Sequence, residues 1–283
     1  MINRYQVTVL ALIIGILLTT IAPILGIPFE SIIFNNRSTI RKADTDHDGL
    51  SNSYERHHNL NPYNHDMDGD ALLDGWEVNE KTPTNVPLPN ASPVHKDIYL
   101  HIFVTNSVPP LTDHEIEELT QIWIEFPISN PNNKSGIDIH IINQTQIDAL
   151  QYPYEKLQRN YEFFVSDRKE CIYYATFVTN IPKDRLVSGF AKSGGLVSII
   201  DGLPGSEYDK KYPIRTIFLT HELLHNIVGV IDIPHMIGDK FHSSRGWLAY
   251  SYFTPRHYQL SETVSSDINQ YGFALNRSTT HSC

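Results

Sequence analysis

The sequence predicts a mixed α/β domain of the α+β kind, a twisted sheet with one buried helix packed beneath it. Three observations predict it. β-rich runs and one amphipathic helix follow one another between residues 97 and 200 in the order β-α-β-β-β, and a further helical segment comes after them. That segment, residues 214–231, is apolar almost all round, which is the pattern of a helix enclosed by protein. Ahead of these elements, residues 44–80 are dense in aspartate and too polar to build a core.

The elements follow in order. Residues 1–30 contain a 21-residue apolar run without a charge, residues 7–27, behind a single Arg4. Such a run is a signal peptide or a membrane anchor; its length and the lack of an A-x-A site favour the anchor. Either way the rest of the chain is expected outside the cytoplasm, extracellular and either secreted or held at a membrane. Five N-x-S/T sequons, at Asn36, Asn90, Asn133, Asn143 and Asn276, agree with export. Residues 31–43 read as a linker. A net charge of −10 argues against a nucleic-acid partner.

In residues 44–80 the acidic residues are spaced, not scattered. Counting Asp44 as position 1, Asp46 is position 3, Asp48 position 5, Gly49 position 6 and Glu55 position 12. This is a calcium-loop pattern: alternating carboxylates, a sharp turn, then a bidentate glutamate. A second copy begins 22 residues on, with Asp66, Asp68, Asp70, Asp74 and Glu77 at positions 1, 3, 5, 9 and 12. Ala71 stands where glycine is expected and is strained in a left-handed turn. A solvated acidic linker would not repeat this spacing. The region resembles the thrombospondin type 3-like calcium repeats of exported prokaryotic proteins, which implies a spacer stiffened by Ca2+. Residues 81–96, rich in Pro, Asn and Thr, read as a linker or an extended wrap.

Residues 97–283 hold the main domain. Residues 97–104 alternate as a strand, and Thr112-Asp113-His114-Glu115 reads as a capping box opening a helix to about Phe126, with Ile116, Leu119, Ile122 and Trp123 on one face. Residues 137–142, 171–179 and 196–200 are further strands. Ser261 caps a closing helix that turns Thr263, Val264, Ile268 and Tyr271 to the core. Cys171 and Cys283 allow one disulfide without requiring it, and no cysteine precedes residue 171 to latch a site from the N-terminal region.

Within residues 214–231 stands His221-Glu222-Leu223-Leu224-His225, an H-E-x-x-H. Four residues make slightly more than one helical turn, so both imidazoles lie on one face and can share a metal ion. Zinc there makes its water more acidic, and Glu222 is placed to take the proton. A third ligand is needed, and Asp232, His235, Asp239 and His242 are the candidates.

Residues 97–260 resemble the metzincin metallopeptidases in element order. Tyr174-Ala175-Thr176-Phe177-Val178 and Gly189-Phe190-Ala191 look like their central and edge strands. The spacing departs from the family: Gly229 comes one residue late, and Met236 is too early for a methionine turn. The best match is a divergent exported prokaryotic group of the form H-E-x-x-H-N … H-S-x-x-G-W-L. It implies a metzincin-like zincin domain with His242 as third zinc ligand and Gly246-Trp247-Leu248 as the floor of the site, with Asp232 and His235 as alternatives. Neutral imidazole also suits Zn2+. Tyr250 or Tyr252 would donate to a developing oxyanion. The expected activity is that of a zinc-dependent endopeptidase on a peptide or protein substrate, with an edge strand near residues 194–200 holding the substrate. The alternative is a non-enzymatic calcium-binding surface or adhesion protein with a relic zinc site.

Overall fold

The strand β1 (Asp97–Thr105) is buried along most of its length and pairs on both sides, so the sheet grows outward from it. The computed structural model describes residues 43–148, 173–181, 189–202, 213–228, 246–248 and 259–274. Residues up to His65 belong to one compact unit and residues from Asp66 to another. This division falls between the two acidic loops. The N-terminal apolar run lies outside the described residues; among those described, no helix is long and apolar enough to cross a membrane.

The smaller unit carries the first loop and α1 (Asn52–His58), capped at Ser51. The larger is a mixed α/β unit. After the second loop come α2 (Asp74–Val78), β1, α3 (Asp113–Ile124), β2 (Asp138–Ile147), β3 (Tyr173–Thr179), β4 (Gly189–Ala191), β5 (Val197–Asp201), α4 (Ile214–Ile227) and α5 (Glu262–Tyr271). The five strands lie in the order β2-β1-β3-β5-β4. All neighbours are parallel except β4, which runs antiparallel to β5 at one edge. Parallel strands need long connections, and α3 supplies the one between β1 and β2.

Several elements differ in extent from the expectation. β2 runs on through Asn143–Gln146, whose polar side chains stop the apolar alternation; at a sheet edge they meet solvent and are tolerated. α4 ends at Ile227, with Val228 already extended, because Val228, Gly229 and Val230 are weak helix formers. In α5, Val264 and Ile268 are buried, but Thr263 and Tyr271 are exposed. Gly272, at φ +68°, turns the chain so that Phe273 fills the core instead. The edge strand on that side is β4; residues 197–201 lie between β3 and β4 and present no free edge. Residues 171–172 lie outside the described part, as do Cys171 and Cys283.

Residues 81–96 wrap the sheet. Leu88 is fully buried and joins Leu72 and Tyr99 in a small second core, against Trp76, Val86, Ile142 and Tyr173. The second acidic loop is bonded to the same unit. Phe273 N donates to Gly69 O at 2.8 Å, Asp97 N to Asp70 Oδ2 at 2.7 Å, and Lys96 Nζ to Asp68 O.

Helix α4 is held by a buried ion pair. Arg215 donates from Nε and Nη2 to the two carboxylate oxygens of Glu115, at 2.7 and 2.5 Å, and from Nη1 to Pro109 O at 2.6 Å. Glu115 also closes the capping box with Thr112, as the sequence predicts. Burial alone would raise its pKa, but the bonds from Arg215 and Thr112 outweigh burial and hold the carboxyl below its ordinary 4.5. A lowered carboxylate pKa stabilises the fold above pH 4.5 and loses that contribution as pH falls through the folded value. Glu115→Gln should cost about 3 kcal/mol at neutral pH by leaving Arg215 buried without a counter-charge. Urea unfolding should also show the gap between variant and parent narrowing in acid.

Candidate metal centres

Helix α4 lies against β5 and β4, and every residue from Arg215 to Ile227 is buried. His221 and His225, one turn apart, bring their Nε2 atoms to 3.1 Å. His221 Nδ1 is 2.8 Å from Trp247 O. A carbonyl can only accept, so Nδ1 carries the proton and Nε2 keeps its lone pair. Two imidazole nitrogens bound to one zinc at near-tetrahedral angles stand about 3.1–3.4 Å apart, so the donor pair fits that ion. Glu222 is buried beside them. A Cβ at Gly189 would come within 2.5 Å of Glu222 Oε1, so β4 passes directly against the carboxylate and a side chain there would shift it.

The surroundings fix the helix end and the floor. Asn226 Nδ2 donates to Lys192 O and Val197 O, and Gly194 N donates to His225 O at 3.2 Å. Trp247 and Leu248 are buried. Gly246 has φ +87°, and a Cβ there would strike Gln259 O at 2.3 Å, so glycine is required to present the Trp247 carbonyl. Asp232, His235, Asp239, His242, Tyr250 and Tyr252 lie outside the described residues.

The two acidic loops share one backbone. In the first, His47 N and Gly49 N donate to the two oxygens of Asp44, and Leu50 N to Asp48 Oδ1. In the second, Gly69 N and Ala71 N donate to the two oxygens of Asp66, and Leu72 N to Asp70 Oδ1. Positions 4 and 6 have positive φ in both: His47 and Gly49, then Gly69 and Ala71. Asp44, Asp46 and Asp48 bring carboxylate oxygens within 4.8 Å of one another, and so do Asp66, Asp68 and Asp70. Both oxygens of Glu55 and both of Glu77 are buried without a hydrogen-bond partner. Buried carboxylates lacking donors are costly, and a hard, oxygen-seeking cation removes the cost.

Two participants were not apparent from spacing. Asn52 occupies position 9 of the first loop and accepts from Thr45 N at 2.9 Å, as Asp74 accepts from Met67 N at 2.8 Å in the second. The aligned register of the two loops carried that signal. Asp97, at the start of β1, brings a carboxylate oxygen within 4.8 Å of Asp70 and Glu77. No loop motif contains it.

Electrostatics follow from this crowding. Burial, then the charges of Asp46, Asp48 and Asp44, push Glu55 up to about 7. Burial raises Asp68, Asp70 and Glu77 well above the carboxylate range, and their neighbours raise them further.

Two outcomes are expected. A folded pKa above the ordinary 4.5 means that the cation-free loop holds a proton the unfolded chain releases. Its stability without calcium therefore falls as pH rises from 4.5 to about 7. Calcium must displace that proton, so calorimetric titration should show affinity at the first loop declining below pH 7. Separately, Ala71→Gly relieves a left-handed turn costing about 1–2 kcal/mol, offset by about 0.5–1 kcal/mol of added unfolded-state freedom. A slightly raised Tm in calcium should result.

No family model matches the chain, and no curated protein is significantly similar to it.

Proposed function

We propose that this chain is a zinc-dependent endopeptidase of metzincin-like form, exported and carrying two calcium loops, the second within the catalytic unit. The observation that carries the reading is the convergence of His221 Nε2 and His225 Nε2 to 3.1 Å, with the His221 tautomer set by Trp247 O. His221 and His225 would hold the ion, with His242 completing the set by resemblance and Asp232 or His235 as alternatives. Zinc in that position supplies a Lewis acid and a water acidified toward neutrality.

The chain's own groups do the rest. Glu222 accepts a proton from the attacking water at its carboxylate and returns it to the leaving amine. Its burial excludes bulk water from that transfer. The antiparallel edge strand β4 passes Glu222 at Gly189. An extended peptide added to that edge would bond through its main chain and lie along the carboxylate. Export rests on the apolar run of residues 7–27 and the sequons.

Glu222→Gln keeps the shape and removes the base. Hydrolysis of an unstructured protein such as denatured casein should fall by about 10²–10⁴-fold, with zinc still bound at one per chain. Unchanged hydrolysis would exclude Glu222 as the base. A purified chain that retains calcium and takes up no zinc would support the non-catalytic surface-protein alternative.

A further inference from the structure

The second acidic loop is read above as a self-contained calcium loop, but its neighbours on β1 give it a donor from outside. We infer that Asp97 is a cation ligand: Asp70, Glu77 and Asp97 form a divalent-cation site that closes between the loop and the first strand of the sheet. The inference rests on the calcium reading of the loop and goes beyond it, because it makes calcium a strut inside the catalytic unit.

Three observations support it. Oxygens of these three residues lie within 4.8 Å of one another, the span that opposite ligands of one calcium ion reach at bonds of about 2.4 Å. Glu77 is 1% exposed, neither of its oxygens has a hydrogen-bond partner, and one is among that set. Asp97 is held in place by groups that leave its carboxylate room for a cation. Ser92 N donates to its Oδ2 at 2.9 Å, and His140 Nε2 meets its Oδ1 at 2.5 Å. Each carboxylate oxygen has a second lone pair. Its backbone N–H meanwhile donates to Asp70 Oδ2 at 2.7 Å, so strand and loop are already in register.

Charge points the same way. Asp66, Asp68, Asp70, Asp74, Glu77 and Asp97 are all buried, and the ammonium buried against them is Lys96. The carboxylates outnumber the basic groups against them, Lys96 and His140, even when one divalent ion is added. An all-oxygen, carboxylate-rich set selects a hard cation, calcium before zinc.

The consequence is that calcium sets the start of β1. β1 pairs with β2 from Asp97 opposite Asp138, and with β3 from Tyr99 opposite Tyr173. Losing the ion would loosen the sheet from the end where both pairings begin.

Hydrogen exchange followed by mass spectrometry on the full chain, titrated with CaCl2 from a chelated start, tests this. Segments 43–58, 66–78 and 97–105 are read separately. Segment 97–105 should gain protection at the same calcium concentration as 66–78. Asp97→Asn should move both midpoints up at least tenfold and leave 43–58 unchanged. In EDTA the variant should melt no lower than the parent, and in millimolar calcium it should melt lower. Protection of 97–105 that ignores calcium in the parent would overturn the inference, whether or not the variant folds. An equal melting deficit with and without calcium would do so too, by making Asp97 merely structural. If neither 43–58 nor 66–78 responds to calcium, the loop reading itself fails.

Discussion

A carboxylate removed from water needs an opposite charge, and this chain meets that requirement in two ways. At Glu115 the protein supplies its own cation: the Arg215 guanidinium reaches both oxygens, and the carboxyl stays ionised despite burial. Around the second loop it does not. Asp68, Asp70 and Glu77 raise one another's pKa, and Lys96 offsets part of the effect at Asp68. Without a cation, that region can be buried only by taking up protons. The two solutions differ in consequence. An internal ion pair is permanent, whereas a site that borrows its charge from solution makes the fold conditional on the ion.

That acidic region lies where the sheet starts. β1 begins at Asp97, directly after Lys96, which bonds to the loop carbonyl of Asp68. The end of α5 is tied to the same place: Gly272 passes so close to Gly69 that a Cβ on Gly272 would strike Gly69 O at 2.4 Å. Loop, first strand and last helix are therefore mutually dependent. The permanent ion pair sits elsewhere, between α3 and α4, where the helix carrying His221 and His225 must keep its position relative to the sheet. The acidic cluster and the Arg215–Glu115 pair thus occupy different parts of one unit.

Local chemistry explains how much of this was legible in the sequence. The capping box at Thr112 and Glu115 could be read because its two halves are three residues apart. The histidines could be read because helical spacing converts four positions into one face. The paired loops could be read because carboxylate spacing repeats. What escaped depends on contacts distant in sequence. Asp97 joins Asp70 across 27 residues, and at the head of a β-rich run it looks like a polar strand boundary. β4, three residues long, has no internal pattern and was legible only through resemblance, at Gly189-Phe190-Ala191; its pairing with β5 defines it. Tyr271 fits the helical period of α5, yet Gly272 redirects the chain and Phe273 takes the core position.

The same distinction governs the pair of histidines. Spacing puts the rings on one face, but it does not say which nitrogen carries the proton. A histidine protonated at Nε2 must give up that proton before the nitrogen can bind a metal. The tautomer of His221 is decided by the Trp247 carbonyl, 26 residues away. That carbonyl can point at the ring because Gly246 turns with φ +87° against Gln259 O, where any Cβ would collide. Glu222 likewise lies against a glycine in another element, and a side chain at position 189 would shift it. The helix thus brings the two imidazoles and the carboxylate together, while Gly246 outside it places the carbonyl that orients His221.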